Sequence, residues 1–117
     1  MTAYEIAAGV KPSERQVEWQ KTEFYGFINF GLATALNTEW TDGNVSPLNF
    51  NPDEFDASEW VEFFKSSGFK GLVLNVKHHD GFCLWCSEHT KYSVASALSW
   101  ETDNRDIVAM LSEECEK

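Results

Sequence analysis

Two short apolar segments, each followed by a long polar stretch, constrain the fold of this chain more than any other feature. Segment 24–31 is aromatic and nearly all apolar, and segment 71–77 has four apolar residues among the six that follow Gly71. Such segments are typical of strands buried on both faces, which belong to parallel sheets. We predict strands over 24–31 and 71–77, and polar loops over 32–55 and 79–104.

A helix is predicted between the two strands. Asp56 is a good N-cap, Glu59 stands three residues later, and Gly68 is a natural stop for the helix. The apolar residues of this segment recur at helical spacing and form one stripe: Ala57, Trp60, Val61 and Phe64.

Two further helices are predicted near the chain ends. Ser13 and Gln16 have the spacing of a capping box and predict a short helix within 11–22. Asn104 or Asp103 could cap a final helix, whose apolar stripe would be Ile107, Val108 and Leu111.

The order of these elements predicts an α/β fold, a βαβα unit with a parallel strand pair and a right-handed crossover. Two parallel strands alone leave both faces and both edges of the sheet in need of cover. We therefore expect residues 1–117 to be the N-terminal fragment of one larger catalytic domain. The alternative is a small complete α/β domain that self-associates.

Charge and composition exclude several classes of protein. The 117 residues carry a net charge of −10, which argues against binding to nucleic acid or to an anionic membrane. No apolar run approaches the length of a transmembrane helix, and residues 1–10 do not resemble a signal peptide. The odd count of three cysteines suits a reducing compartment. We expect a cytoplasmic protein.

The densest group of chemically active residues is Lys77-His78-His79-Asp80-Gly81-Phe82, at the end of the second predicted strand. In parallel α/β folds, ligands bind at this end of the strands. Adjacent strand residues point to opposite faces, so both histidines can serve one site only if the backbone is turning there. The Asp80-Gly81 pair is typical of such a turn. The plainer alternative is a structural histidine.

A second group, around Glu39 and Trp40, lies in the loop after the first predicted strand. Tryptophan offers an apolar face and an N–H donor, a pairing suited to gripping a sugar ring. Glu39 could accept a hydroxyl proton or orient a histidine. Both groups follow strands that run in the same direction, so we expect them to converge. The alternative is a loop tryptophan that packs on the edge of the sheet.

A competing arrangement is Cys83-x-x-Cys86-x-x-His89, just after the histidine pair. It contains enough ligands for a tetrahedral zinc site, and the two cysteines could form a redox pair. Zinc sites usually add a distant second ligand pair, and redox CxxC motifs usually open a helix. Neither feature is present, so incidental thiols are the favoured interpretation.

The Lys77-His78-His79-Asp80-Gly81-Phe82 run, in its spacing to Glu39-Trp40, resembles the N-terminal part of the α-L-fucosidases of glycoside hydrolase family 29. The similarity covers roughly residues 12–111 and includes segments 24–31, 39–43 and 77–85. It implies a (β/α)₈ TIM-like barrel, of which this chain would hold an incomplete βαβα portion. It also implies a retaining glycosidase without metal or cofactor that releases terminal L-fucose from fucosylated glycans or oligosaccharides.

The resemblance also implies roles for individual residues. His78 and His79 would hydrogen-bond the fucose hydroxyls, Trp40 would contact the same edge of the sugar, and Glu39 would support that pocket. Asn29 would belong to the same substrate-binding set. It stands where the family usually has histidine, and it keeps a donor and an acceptor but loses the reach of an imidazole.

The family's aspartate nucleophile lies on a later strand, so we expect it beyond Lys117 and assign no catalytic residue within this chain. The chain would contribute part of the sugar-binding subsite and be inactive alone. The rest of the barrel, or self-association, would cover the strand edges. The alternative function is a stand-alone carbohydrate-binding or interaction module of βαβα type. Linkage preference, the acid/base residue and the oligomeric state are open at this point.

Overall fold

A two-stranded parallel sheet with helices before, between and after its strands organises the computed structural model, which describes residues 1–117. The helices and strands, in chain order, are α1 (Ala3–Ala8), α2 (Glu14–Thr22), β1 (Gly26–Asn29), α3 (Leu32–Ala35), α4 (Ala57–Ser66), β2 (Leu72–Asn75) and α5 (Ile107–Cys115). Single 3₁₀ turns lie at Pro47–Asn49 and Val94–Ser96. None of the helices has the length and apolar character needed to span a membrane.

The strands β1 and β2 pair in parallel, as the βαβα prediction requires. Gly26 lies opposite Leu72, and Asn29 lies opposite Asn75. Each strand has four residues, fewer than the eight and seven predicted. The paired segment of the sheet is short because the residues on either side of each strand belong to helices and loops.

The prediction that both strands are buried on both faces is wrong for this chain. In β1, Gly26 and Ile28 are buried, whereas Phe27 is 66% exposed and Asn29 is also exposed. Helices α4 and α5 pack against each other on the Ile28 side of the sheet. The opposite face has no covering element, so alternate strand residues contact solvent.

The predicted caps are confirmed for α2 and α4. Ser13 and Gln16 form the reciprocal capping box of α2. The Asp56 side chain accepts hydrogen bonds from the first turn of α4, and Gly68 follows that helix with φ of +86°. The predicted cap of the last helix is wrong. Asp106 caps α5 by accepting from Ala109 N.

Two helices were not predicted. Helix α1 is capped by Thr2 and Glu5, a capping-box spacing visible in the sequence, and buries no residue. Helix α3 lies inside the predicted loop 32–55, where Leu32 anchors it in the core at 1% exposure. Both helices are short, so hydrophobic periodicity cannot identify them.

Loop residues provide most of the hydrophobic core. It contains Leu32, Phe50, Phe82, Leu84, Val94, Ala97, Trp100, Ile107 and Leu111. The Arg105 guanidinium stabilises the loop that precedes α5. Its Nε donates to Ala97 O, and its Nη2 donates to Trp100 O at 2.8 Å. The long segments between elements are therefore packed against the sheet and helices.

The close approach of β1 to α4 leads to a stability prediction. A Cβ at Gly26 would overlap the ring of Phe64. We expect Gly26→Ala to cost about 1–3 kcal/mol, because overpacking forces shifts in a dense core. Urea unfolding followed by near-ultraviolet circular dichroism measures the loss.

Gly71→Ala is the matched control, because a Cβ there would make only ordinary contacts, the nearest at 3.7 Å. Adding Phe64→Leu to Gly26→Ala should recover part of the loss. Equal unfolding midpoints for the two alanine variants would contradict the packing of β1 on α4.

Candidate functional site

The first group of predicted site residues follows α3. The chain turns at Asn37, which has φ of 53°, and continues into Glu39 and Trp40. Trp40 is 61% exposed, so it does not pack on the edge of the sheet. Glu39 is exposed and makes no hydrogen bond within the chain. An exposed indole and an unengaged carboxylate are available for a ligand.

The histidine pair lies in the predicted turn after β2. Gly81 N donates to His78 O at 3.0 Å, and Gly81 has φ of +81°. The rings of His78 and His79 meet edge to face with centroids 4.6 Å apart. His78 Nδ1 is buried and has no hydrogen-bond partner. Such a nitrogen is costly to leave unsatisfied, which favours a ligand or water as its partner.

One direct contact joins the two loops. Thr41 Oγ1 donates to Asp80 Oδ2 at 2.8 Å, and Thr41 is 8% exposed. The other carboxylate oxygen, Asp80 Oδ1, accepts from Phe82 N at 2.9 Å. Gly43, with φ of +84°, lies so close that a Cβ there would be 2.9 Å from Asp80 O. We call the first contact the Thr41–Asp80 bridge.

Trp40 precedes Thr41 in the chain, and His79 precedes Asp80. The bridge thereby places Trp40 and His79 on one cavity of about 390 Å³, which we call the tryptophan cavity. A second cavity of about 300 Å³, the asparagine cavity, is lined in part by Asn29, Glu39 and His78. The structure thus divides the five predicted residues between two cavities. The touching rings of His78 and His79 join the two.

Asn29 does not act alone at the end of β1. Its Oδ1 accepts a hydrogen bond from Nδ2 of Asn75, its register partner at the end of β2, at 3.0 Å. The sequence motifs assigned no role in the site to Asn75, or to Thr41, which lies within the second group of candidate residues. The parallel alignment of the strand ends was the signal that could have identified Asn75.

The electrostatics of the site are anionic. Hydrogen bonds from the Asn44 amide hold the pKa of the Asp42 carboxyl below its usual value. Burial raises the pKa of the Tyr92 phenol, and the carboxylates of Asp80 and Asp42 raise it further. The Tyr92 hydroxyl donates to Val45 O and thereby holds the loop beside the bridge. Carboxylates, imidazoles and an indole suit a neutral ligand with many hydroxyls.

The roles of the carboxylates differ. Both oxygens of Asp80 accept hydrogen bonds from this chain, so its carboxylate is committed to structure. Asp42 accepts from Asn44 N in a local turn. Among the acidic residues that line the tryptophan and asparagine cavities, Glu39 is the one without a partner within the chain. These contacts suit binding and support of a ligand.

The competing cysteine arrangement is not assembled as a site. Cys83 is buried and directs its Sγ towards Gly81 O, whereas Cys86 is exposed. Burial and the carboxylate of Asp106 raise the pKa of the Cys86 thiol, which disfavours the reactive thiolate. No three His, Cys, Asp or Glu side chains are grouped to hold a metal ion.

A larger cavity of about 460 Å³ lies away from the histidines, along the free edge of β1. Its lining is mostly aromatic and includes Phe27, Trp60, Phe63 and Phe64. Asn29 also borders it, at the end nearest the strand terminus. The converging polar groups that define the candidate site are on the other two cavities.

Comparisons with known proteins point to one family. The family model described as Alpha-L-fucosidase matches residues 7–117. Alpha-L-fucosidase 1 of Arabidopsis thaliana is 46% identical over 101 residues, which cover 86% of this chain and 20% of that protein. The chain therefore spans a fifth or less of the length of the curated relatives it matches.

Solved structures give the same result. A crystal structure of a putative alpha-L-fucosidase from Bacteroides ovatus superposes with a TM-score of 0.83 at 45% identity, covering 90% of this chain and 18% of that one. A Ruminococcus gnavus GH29 fucosidase variant in complex with fucose gives a TM-score of 0.79 at 39% identity, covering 91% of this chain and 22% of that one.

Proposed function

Because this chain belongs to the α-L-fucosidase family, we propose that it forms the part of a retaining α-L-fucosidase that binds the fucose ring. The observation that carries this proposal is the Thr41–Asp80 bridge. It brings an exposed tryptophan and a histidine from loops after two parallel strands to one cavity. The substrate would be a glycan with a terminal L-fucose; the Ruminococcus gnavus relative is in complex with fucose.

The proposed binding mode assigns one role to each residue. The indole of Trp40 covers an apolar face of the sugar, and His79 bonds a hydroxyl from the same cavity. His78 offers its imidazole to a second hydroxyl, with Glu39 as an acceptor on the same adjoining cavity. Asn29 completes the set. No covalent step is assigned to these residues.

The fold proposal goes further than the two observed strands. We propose that they belong to a (β/α)₈ barrel, in which additional strands pair with the free edges of β1 and β2. The support is the exposed face that carries Phe27 and the aromatic cavity along the β1 edge. In such a barrel, ligand-binding loops lie at the carboxyl ends of the strands, where both loops of this site begin.

A titration of the 117-residue chain with L-fucose tests the function. We expect the indole N–H signal of Trp40 in a nitrogen-15 correlation spectrum to move saturably with L-fucose and not with D-fucose. Trp40→Ala should weaken binding at least about tenfold, because an aromatic platform contributes a large share of sugar affinity.

Trp19→Ala is the matched control, because Trp19 is 49% exposed and packs against the tilted ring of Tyr25, away from both cavities. Binding that is unaffected by Trp40→Ala, or lost equally in both variants, would contradict the proposal. Turnover of a chromogenic α-L-fucoside by the same chain would show that it also performs the covalent chemistry.

A further inference from the structure

The two strands end in an amide pair whose position and chemistry point to a ligand. Asn29 and Asn75 are the last residues of β1 and β2 and lie opposite each other in register. In register, their side chains share one face of the sheet. It is the face that carries exposed Phe27, opposite the helices.

The hydrogen bond between the amides determines what the pair can offer. Asn75 Nδ2 donates to Asn29 Oδ1 at 3.0 Å, and neither side chain makes another hydrogen bond within the chain. The pair keeps both N–H groups of Asn29, one N–H of Asn75 and the Asn75 carbonyl oxygen. If both side-chain amides were rotated by a half-turn, Asn29 would donate to Asn75. The pair would then keep the same number of free N–H groups and one free carbonyl oxygen.

On this face of the sheet, the side chains change from apolar to polar at the carboxyl ends of the two strands. The preceding residues on the same face, Phe27 and Val73, are apolar, whereas Asn29 and Asn75 are polar. Asn29 lines the asparagine cavity together with Glu39 and His78, and Asn75 adjoins that cavity through its hydrogen bond to Asn29. The polar residues at the strand ends therefore lie at the border of the candidate site.

We propose that Asn29 and Asn75 act as one recognition unit, in which Asn75 both positions Asn29 and contacts the sugar. A hydroxyl group donates one hydrogen bond and accepts others, so it can bond the Asn75 carbonyl and an Asn29 N–H together. Asn75 is a binding and positioning residue that the family-based assignment does not include. This inference rests on the proposed function and names an additional contact in the same site.

The test uses the side-chain amide signals of the nitrogen-15-labelled chain during the same L-fucose titration. We expect the signals of Asn29 and Asn75 to move with the saturation curve of the Trp40 indole. Movement of Trp40 while both amides stay fixed would overturn this inference and leave the proposed function intact. No movement of any of the three would overturn both.

A double-mutant cycle tests whether the two amides act as one unit. Asn75→Leu should weaken L-fucose binding about two- to tenfold, the effect of one or two neutral hydrogen bonds. Asn29→Leu should do the same, and the double variant should be little weaker than either single variant. Asn51→Leu is the control, because the exposed Asn51 side chain makes no hydrogen bond. Unchanged affinity in Asn75→Leu would overturn the proposal.

Discussion

Phe50→Ala is expected to abolish the packed core of this chain. Phe50 is 1% exposed, and its ring lies 5.2 Å from that of Phe82, 5.5 Å from that of Phe30 and 6.0 Å from that of Trp100. Truncating a buried phenylalanine costs about 3–5 kcal/mol, a large part of the 5–15 kcal/mol by which ordinary domains are stable. Near-ultraviolet circular dichroism should lose the sharp tryptophan bands.

Phe27→Ala is the control for this result. Phe27 is 66% exposed, so truncating it removes little contact area, and the unfolding midpoint should stay near that of the parent chain. A larger loss from Phe27→Ala than from Phe50→Ala would contradict the placement of the core. It would indicate that the exposed sheet face is covered by a second copy in solution.

Asp80→Ala is expected to separate the two loops of the site. The substitution removes the acceptor of Thr41 Oγ1 and the acceptor of Phe82 N. Hydrogen bonds to a charged group contribute about 1.5–3 kcal/mol each, and partial solvent access here reduces the total to about 2–3 kcal/mol. Affinity for L-fucose should fall at least about tenfold, because Trp40 and His79 lose their common support.

Two variants make this prediction specific. Thr41→Val keeps the shape of the side chain and removes its hydroxyl, so it should reproduce much of the loss in affinity. Asp53→Ala makes the same change in charge at an exposed position without a side-chain hydrogen bond and should leave affinity unchanged. Affinity retained in both Asp80→Ala and Thr41→Val would show that the bridge does not position the site.

The local parts of the fold were predictable. The boundaries of α2 and α4 depend on Ser13, Gln16 and Asp56, whose side chains bond amides within three residues. The turn after β2 likewise depends on neighbouring residues, the Asp80-Gly81 pair, and Gly81 N donates to His78 O. The cap of α5 was misplaced because Asn104 also makes a local bond, to Asp106 N, and so resembles a cap.

The site was predictable only as a set of loops at one end of the sheet. The convergence of the Trp40 and His79 loops follows from parallel strands, and the cavities agree with it. The roles of Thr41 and Asn75 were not predicted because their hydrogen-bond partners are distant in sequence. Thr41 and Asp80 are 39 residues apart, and Asn29 and Asn75 are 46 residues apart. No periodicity connects residues at such separations.

The sequence by itself determined the order of the two strands and the three longer helices, the caps of two of those helices and the identity of the residues in the two loops. These depend on side-chain type and on hydrogen bonds between near neighbours. Only the tertiary structure decided which strand face is covered, that loop residues such as Phe50 and Phe82 build the core, and that Asp80 serves structure. Burial and long-range hydrogen bonds depend on which surfaces meet, and a linear pattern does not specify that.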